Sequence, residues 1–167
     1  MSSATACAAR RRAVSTDFKR PVSVLVVIYT PARQVLLLHR QAPFDFWQSV
    51  TGSLAPGESA FDAAVREVRE ETGLVITPHD LTDRRLDSRF PIPPRWRRRY
   101  APGVDHNTES VFSLCLPAPC AVSTDPREHD AAEWVDADEA LRRLWSWTNR
   151  DALRLCLADA AHKPLGG

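Results

Sequence analysis

The stretch from Gly52 to Leu74, GSLAPGESAFDAAVREVREETGL, constrains the fold of this 167-residue chain more than any other. At about 100° per residue, a helix over this stretch places Glu67, Glu70 and Glu71 in one arc beside an apolar face. Like charges at these spacings each cost a helix about 0.2–0.5 kcal/mol. A divalent cation would offset this repulsion, so the sequence predicts a helix whose acidic face binds a metal.

Both ends of this helix are marked in the sequence. Ser59 is a typical N-cap and Gly73 a typical C-terminal stop, which predicts a helix from Ala60 to Thr72. Before the helix, the pair Pro56-Gly57 predicts a tight loop that ends at Glu58. We expect this loop to fold back beside the first helical turns, so that its carbonyl groups and the Glu58 carboxylate join the acidic face.

The same stretch resembles the Nudix box. Gly52, Glu58 and the run REVREETGL from Arg66 to Leu74 occupy the positions of that pattern. A solvated acidic helix face is the alternative, but it explains neither the glycines nor Glu58. The resemblance implies an α/β Nudix fold, in which a mixed β-sheet is sandwiched between α-helices (an α/β/α sandwich).

The resemblance also implies roles for individual residues. Glu67, Glu70 and Glu71 bind metal, and Arg66 orients Glu70. The family adds an acid from outside the box as a ligand or base, and Glu128 is the candidate here, with a surface acid in a polar turn as the alternative. The implied catalytic residues are thus Glu70, Glu71, Glu128 and Arg66, and the implied metal ligands are Glu67, Glu70, Glu71 and Glu128. Mg²⁺ is the expected ion, with Mn²⁺ able to substitute. Because the carboxylates are coupled, none is singled out as the general base.

The sequence around the box resembles one branch of the family more narrowly. The segments KRPVSVLVVIY, DFWQSVTGS, RYAPGVDHNTES and SWTNR, between about Lys19 and Leu157, are similar to the Nudix hydrolases of bacterial folate synthesis. This similarity implies magnesium-dependent hydrolysis of dihydroneopterin triphosphate to dihydroneopterin monophosphate and pyrophosphate. The alternatives are a Nudix hydrolase of nucleoside triphosphates, including damaged ones, and a non-catalytic Nudix module that binds nucleotide or RNA. Such modules commonly lose box glutamates, and this chain keeps them.

The remaining chain predicts strands and terminal helices around the box. The run PVSVLVVIY from Pro21 to Tyr29 is apolar and β-branched, which predicts a strand covered on both faces. Further strands are expected at 35–39, 46–50, 81–87, 109–116 and 133–135, and helices at 138–144 and 149–161.

A basic and aromatic segment, FPIPPRWRRRY, runs from Phe90 to Tyr100. Its three prolines predict that it forms no regular element. Arginines interleaved with Trp96 suit either single-stranded nucleic acid or a small triphosphate with a flat ring, and a solvated loop is the third interpretation. The short length favours the small ligand. The candidate substrate-binding residues are Lys19, Arg40, Trp47, Arg97, Arg98 and Arg99.

Composition limits the partners and the location. A net charge of +1 argues against nucleic acid or a membrane as a partner, which leaves a small pterin or nucleoside triphosphate. Four cysteines without C-x-x-C spacing predict neither a zinc site nor disulfides, but buried thiols in a reducing cytoplasm. We expect one domain at 18–162 between flexible ends at 1–17 and 163–167. The sequence does not indicate the oligomeric state.

Overall fold

A computed structural model describes residues 18–162, with side chains described to residue 158. The predicted flexible ends, 1–17 and 163–167, lie outside the described residues, and the division into one domain with two extensions stays a prediction. The strands are β1 Val22–Tyr29, β2 Gln34–Arg40, β3 Phe46–Gln48, β4 Val50–Ser53, β5 Leu81–Pro91, β6 His106–Cys115 and β7 His129–Asp136. The helices are α1 Ala60–Thr72, α2 Pro94–Arg97, α3 Ala137–Arg143 and α4 Trp147–His162.

Strand β1 is the centre of a seven-stranded mixed sheet. It pairs in parallel with β6 along its whole length, from Val22 opposite Thr108 to Tyr29 opposite Cys115. On its other edge it pairs antiparallel with β4 and, at Tyr29, with β2. Strand β2 in turn pairs with β3 and β7, and β6 pairs with β5. The sheet is therefore mixed, as predicted.

Alternate side chains of β1 enter two separate cores. Val24 and Val26 pack with the apolar face of α1, whereas Leu25 and Val27 pack with α3 and α4. Since both faces of β1 are buried, the run of β-branched residues needs no polar alternation. The helices thus cover both faces of the sheet, which confirms the predicted α/β/α sandwich.

The segment Phe90 to Tyr100 differs from the expectation that it forms no regular element. Phe90 and Pro91 complete the eleven-residue strand β5, and Pro94–Arg97 forms one turn of helix. Proline suits the first position of a helix, because that residue's N–H would have no partner within the helix. The prolines therefore set where these elements end and begin.

The cysteines differ in part from the prediction of buried thiols. Cys156 is buried in α4, but Cys115 and Cys120 are exposed free thiols. Cys115 ends β6, and the strand's last side chain points out of the core. Within residues 18–162, no helix is long and apolar enough to cross a membrane.

The left-handed end of α1 gives a stability prediction. Gly73 has φ +72°, and a Cβ there would lie 3.3 Å from the Ser123 Cβ. We expect Gly73→Ala to lower the free energy of unfolding by about 1–2 kcal/mol, because a left-handed backbone crowds a Cβ. Gly57→Ala is the matched control, since Gly57 has φ +75° but open space around it, and should lose less.

Urea denaturation of the two variants measures these losses. A Gly73→Ala protein as stable as the wild type would contradict the left-handed end of α1.

Candidate active site

Hydrogen bonds hold the loop before α1 in a tight turn and cap the helix, as the sequence predicts. The Ser59 Oγ accepts the Asp62 backbone N–H at 3.1 Å, which caps the first turn. The Glu58 Oε2 accepts the Ala55 N–H at 2.7 Å, which holds the loop in a tight turn. At the other end, the Gly73 N–H donates to the Arg69 carbonyl at 2.9 Å.

Arg66 joins this loop to the acidic face of α1. Its guanidinium donates to Glu58 at 2.7 and 2.9 Å, to Glu67 at 2.6 Å and to Glu70 at 3.0 Å. It also donates to the Ser53 carbonyl at 3.1 Å, at the end of β4. Hydrogen bonding from Arg66 lowers the pKa of Glu58 to about 2. One cation therefore fixes three carboxylates.

Gly52 makes room for the Glu67 carboxylate. A Cβ at position 52 would lie 1.8 Å from the Glu67 Cδ and Oε1. Any other residue there would displace that side chain. Burial raises the pKa of Glu67, while its hydrogen bond from Arg66 acts in the opposite direction. The glycine of the box is thus needed for the position of one acid.

Glu71 is the most buried of the box glutamates, and few neighbouring groups stabilise its negative charge. It is 5% exposed, and its Oε2 accepts the Thr51 N–H at 3.1 Å. Burial raises its pKa well above the usual range, and the charge of Glu67 raises it further. Buried carboxylates that disfavour one another's charge fit a hard divalent cation, which prefers oxygen ligands.

Glu128 approaches this cluster from the turn before β7. Its Oε2 accepts the Arg40 Nη1 at 2.7 Å. One ligand atom from each of Glu71, Glu128 and His129 lies within 4.8 Å of the others. The turn before β7 thus places Glu128, which follows Glu71 by 57 positions in the chain, close to the box helix, and its role as a ligand or base stays a prediction.

His129 joins this group although sequence reasoning did not include it. It is 1% exposed, and its Nε2 lies 3.9 Å from the Glu71 Oε1. Burial and the Arg40 charge lower its pKa to about 4, so the ring is neutral at pH 7. A neutral imidazole nitrogen can bind a metal. Only its position beside Glu128 signalled it in the sequence.

A cavity of about 700 Å³ opens over the acidic group. Of the residues predicted as ligands or substrate contacts, it is lined by Lys19, Arg40, Glu67, Glu70, Glu71, Arg99 and Glu128. The Lys19 backbone N–H donates to the Arg99 carbonyl at 2.8 Å, which places Lys19 beside the basic segment Phe90 to Tyr100. Burial lowers the pKa of Lys19, and the Arg99 charge lowers it further. Such a cationic pair favours an anionic ligand.

Three predicted substrate-binding residues do not line this cavity. The Trp47 ring lies under the Arg143 guanidinium at 3.8 Å. Arg97 donates from Nε to the Ile92 carbonyl at 2.9 Å, and Arg98 is exposed. Their predicted role in substrate binding stays a prediction.

Aromatic rings form one wall of the cavity. Phe46 stacks on Trp145 with ring centroids 4.5 Å apart. Trp96 contacts Trp145 and Phe44 edge to face, at 6.2 and 6.0 Å. These residues come from three distant segments, and only Trp96 stood out in the sequence because arginines surround it. The wall offers apolar surface to a flat ring.

Another part of the cavity lining is polar and was also missed in the sequence. Glu109 and Asn107, on β6, are each 5% exposed. Burial raises the pKa of Glu109 to about 7, and hydrogen bonding to Thr148 and Ser23 opposes that rise. In the sequence, Glu109 looked like a polar position of the strand predicted at 109–116, and Asn107 preceded that strand. Both lie in the segment RYAPGVDHNTES, whose resemblance to the folate branch singled out neither side chain.

Comparison with known proteins is consistent with this geometry. The chain is 46% identical over 147 residues to the dihydroneopterin triphosphate diphosphatase of Escherichia coli (strain K12), covering 86% of this chain and 97% of that protein. The Haemophilus influenzae protein of the same name is 37% identical, with 83% and 88% covered.

A solved structure, that of the E. coli dihydroneopterin triphosphate pyrophosphohydrolase, superposes with a TM-score of 0.76 at 45% identity. It covers 85% of this chain and 98% of that one. Residues 19–156 match the NUDIX domain, so the resemblance inferred from the box is confirmed. The chain therefore belongs to the Nudix family.

Proposed function

We propose that this protein hydrolyses dihydroneopterin triphosphate to dihydroneopterin monophosphate and pyrophosphate, as the sequence predicted. One observation carries the proposal: a single cavity joins the acidic face of α1 to basic residues and an aromatic wall. A triphosphate needs the first two features, and a flat bicyclic ring suits the third. Two relatives with this activity in their names, each covered over most of its length, support the same substrate.

The acidic cluster is suited to hold Mg²⁺, with Mn²⁺ able to substitute. Glu67, Glu70, Glu71 and Glu128 are the proposed ligands. Nudix hydrolases typically use divalent metals, and such an ion, when bound, polarises phosphoryl oxygens and lowers the pKa of its water. Glu71 supports this assignment best, because its carboxylate is buried and, within the described part of the chain, accepts a single hydrogen bond, from the Thr51 N–H.

The chain's own side chains then arrange the reaction. Arg66 holds Glu67 and Glu70 in place, so it acts as a positioning residue. One of the coupled carboxylates, Glu70, Glu71 or Glu128, takes the proton of the attacking water. As the phosphoanhydride bond breaks, negative charge spreads over the phosphoryl oxygens, and pyrophosphate leaves.

Basic residues of the cavity are suited to bind the phosphates. Lys19 and Arg99 lie side by side, and their mutual repulsion is relieved when an anion binds between them. Arg40 pairs with Glu128, so it can orient that carboxylate and still face the triphosphate. The small-molecule partner is thus a pterin triphosphate, and the predicted cytoplasmic location stays a prediction.

The substrate is tested by measuring pyrophosphate release from dihydroneopterin triphosphate and from GTP, ATP, CTP and UTP, with Mg²⁺ or with EDTA. We expect kcat/KM for the pterin to exceed that for every nucleotide, and EDTA to abolish release. Preference for a nucleotide would overturn the substrate and retain the Nudix chemistry. Pterin binding without turnover would favour a binding module.

The metal site is tested by Glu71→Gln. The substitution keeps the size of the side chain and an acceptor for the Thr51 N–H but removes the charge. We expect kcat to fall by roughly 100- to 1,000-fold, the loss typical of removing one group that stabilises developing charge. The matched control is Glu139→Gln, because Glu139 pairs with Arg142 on the surface of α3. Full turnover by Glu71→Gln would contradict the site assignment.

A further inference from the structure

Two buried oxygen atoms in the cavity lining have no hydrogen-bond partner among the side chains and backbone that the structure describes. They are the Glu109 Oε1 and the Asn107 Oδ1, on residues that are each 5% exposed. Buried polar atoms are nearly always paired, so unpaired acceptors that line a cavity call for donors from a ligand. No cation within residues 18–162 pairs with Glu109, which distinguishes it from the glutamates held by Arg66.

The surroundings hold this carboxylate in position. Glu109 lies on β6 opposite Ser23 of β1 in the parallel register. Asn107, two residues earlier on the same face, donates from Nδ2 to the Ser23 Oγ at 2.7 Å. Thr148, at the start of α4, lies on the helix side, where its hydroxyl lowers the pKa of Glu109. A side chain built into a strand and fixed by its neighbours is a rigid recognition element.

We propose that Glu109 determines substrate specificity by accepting the ring N–H and the 2-amino group of a 2-amino-4-oxopyrimidine ring, the edge that pterin and guanine share. This inference rests on the proposed function and names the part of the pterin that Glu109 contacts. The ring N–H and the 2-amino N–H are adjacent and point in the same direction, so each can donate to one oxygen of the Glu109 carboxylate. The Asn107 Oδ1 is a further acceptor on the same face.

The charge around Glu109 agrees with this role. Burial raises the pKa of Glu109 to about 7, so both its protonated and its ionised forms are populated at neutral pH. Two ligand donors stabilise the ionised form, because each supplies a hydrogen bond that water cannot provide in the buried site. Adenine offers one amino donor beside a ring acceptor, and that acceptor would face a carboxylate oxygen. The site therefore excludes adenine as well as accepting pterin.

The test compares substrates that differ by a single group in the wild type and in Glu109→Gln. GTP and ITP differ only by the 2-amino group, and the variant replaces one acceptor oxygen by a donor. In the wild type we expect kcat/KM for GTP to exceed that for ITP by roughly tenfold or more. In Glu109→Gln the ratio should fall to about 1 or below, since the new amide N–H opposes the 2-amino group.

The same variant should lose about 10- to 100-fold in kcat/KM for dihydroneopterin triphosphate, mainly through KM, while its kcat/KM for ATP rises, because the new amide N–H can donate to the adenine ring acceptor that the carboxylate opposes. Glu139→Gln is again the matched control and should keep every ratio. Circular dichroism and thermal melting check that Glu109→Gln is folded. If that variant unfolds, the wild-type GTP to ITP ratio decides, because a ratio near 1 overturns the inference.

Two failures are distinguishable. A wild-type protein that leaves dihydroneopterin triphosphate intact overturns the proposed function. Wild-type turnover of the pterin, combined with Glu109→Gln kinetics equal to those of the wild type on every substrate, overturns only the assignment of Glu109.

Discussion

The candidate site depends on the hydrogen bonds that the Arg66 guanidinium donates to several partners. One guanidinium contacts Glu58, Glu67, Glu70 and the Ser53 carbonyl, at distances between 2.6 and 3.1 Å. It ties β4 and the following loop to the middle of α1, and it partly neutralises carboxylates that would otherwise repel one another. Glu71 is not among its partners, so the most buried acid of the helix is left for another cation. The box thus contains three acids that accept hydrogen bonds from Arg66 and one, Glu71, that does not and is suited to bind a metal ion.

The sheet brings the other parts of the site to this helix. Strand β2 ends at Arg40, β7 begins at His129, and the turn before β7 carries Glu128. Because β2 and β7 are neighbours in the sheet, these residues meet although 88 positions separate Arg40 from Glu128. Strand β6 adds Glu109, a buried acid that pairs with no cation of the described segment 18–158. The cavity is therefore lined by two kinds of carboxylate, the cluster that we propose to bind metal and the isolated Glu109 that we propose to accept ring donors.

Local patterns predicted the fold better than they predicted the cavity. The bounds of α1, its caps and the burial of β1 on both faces follow from periodicity and capping residues, which act within a few positions. The box also predicted that Glu67, Glu70 and Glu71 share one face. The burial of Glu109 and His129 was not predictable, because it depends on strand pairing between distant segments. The helical turn at Pro94–Arg97 was missed because prolines were taken to exclude every regular element, whereas proline favours a helix start.

We propose that Arg66 holds the carboxylates in the arrangement that binds a divalent cation. Titration of Mn²⁺, followed by electron paramagnetic resonance, measures this directly in the wild type and in Arg66→Lys. Lysine keeps the charge but lacks the planar fork that contacts several carboxylates, so we predict an affinity weaker by roughly 10- to 100-fold. Arg142→Lys, on the surface of α3, should bind as the wild type does. Equal Mn²⁺ affinity in the wild type and Arg66→Lys would show that Arg66 does not position the metal ligands.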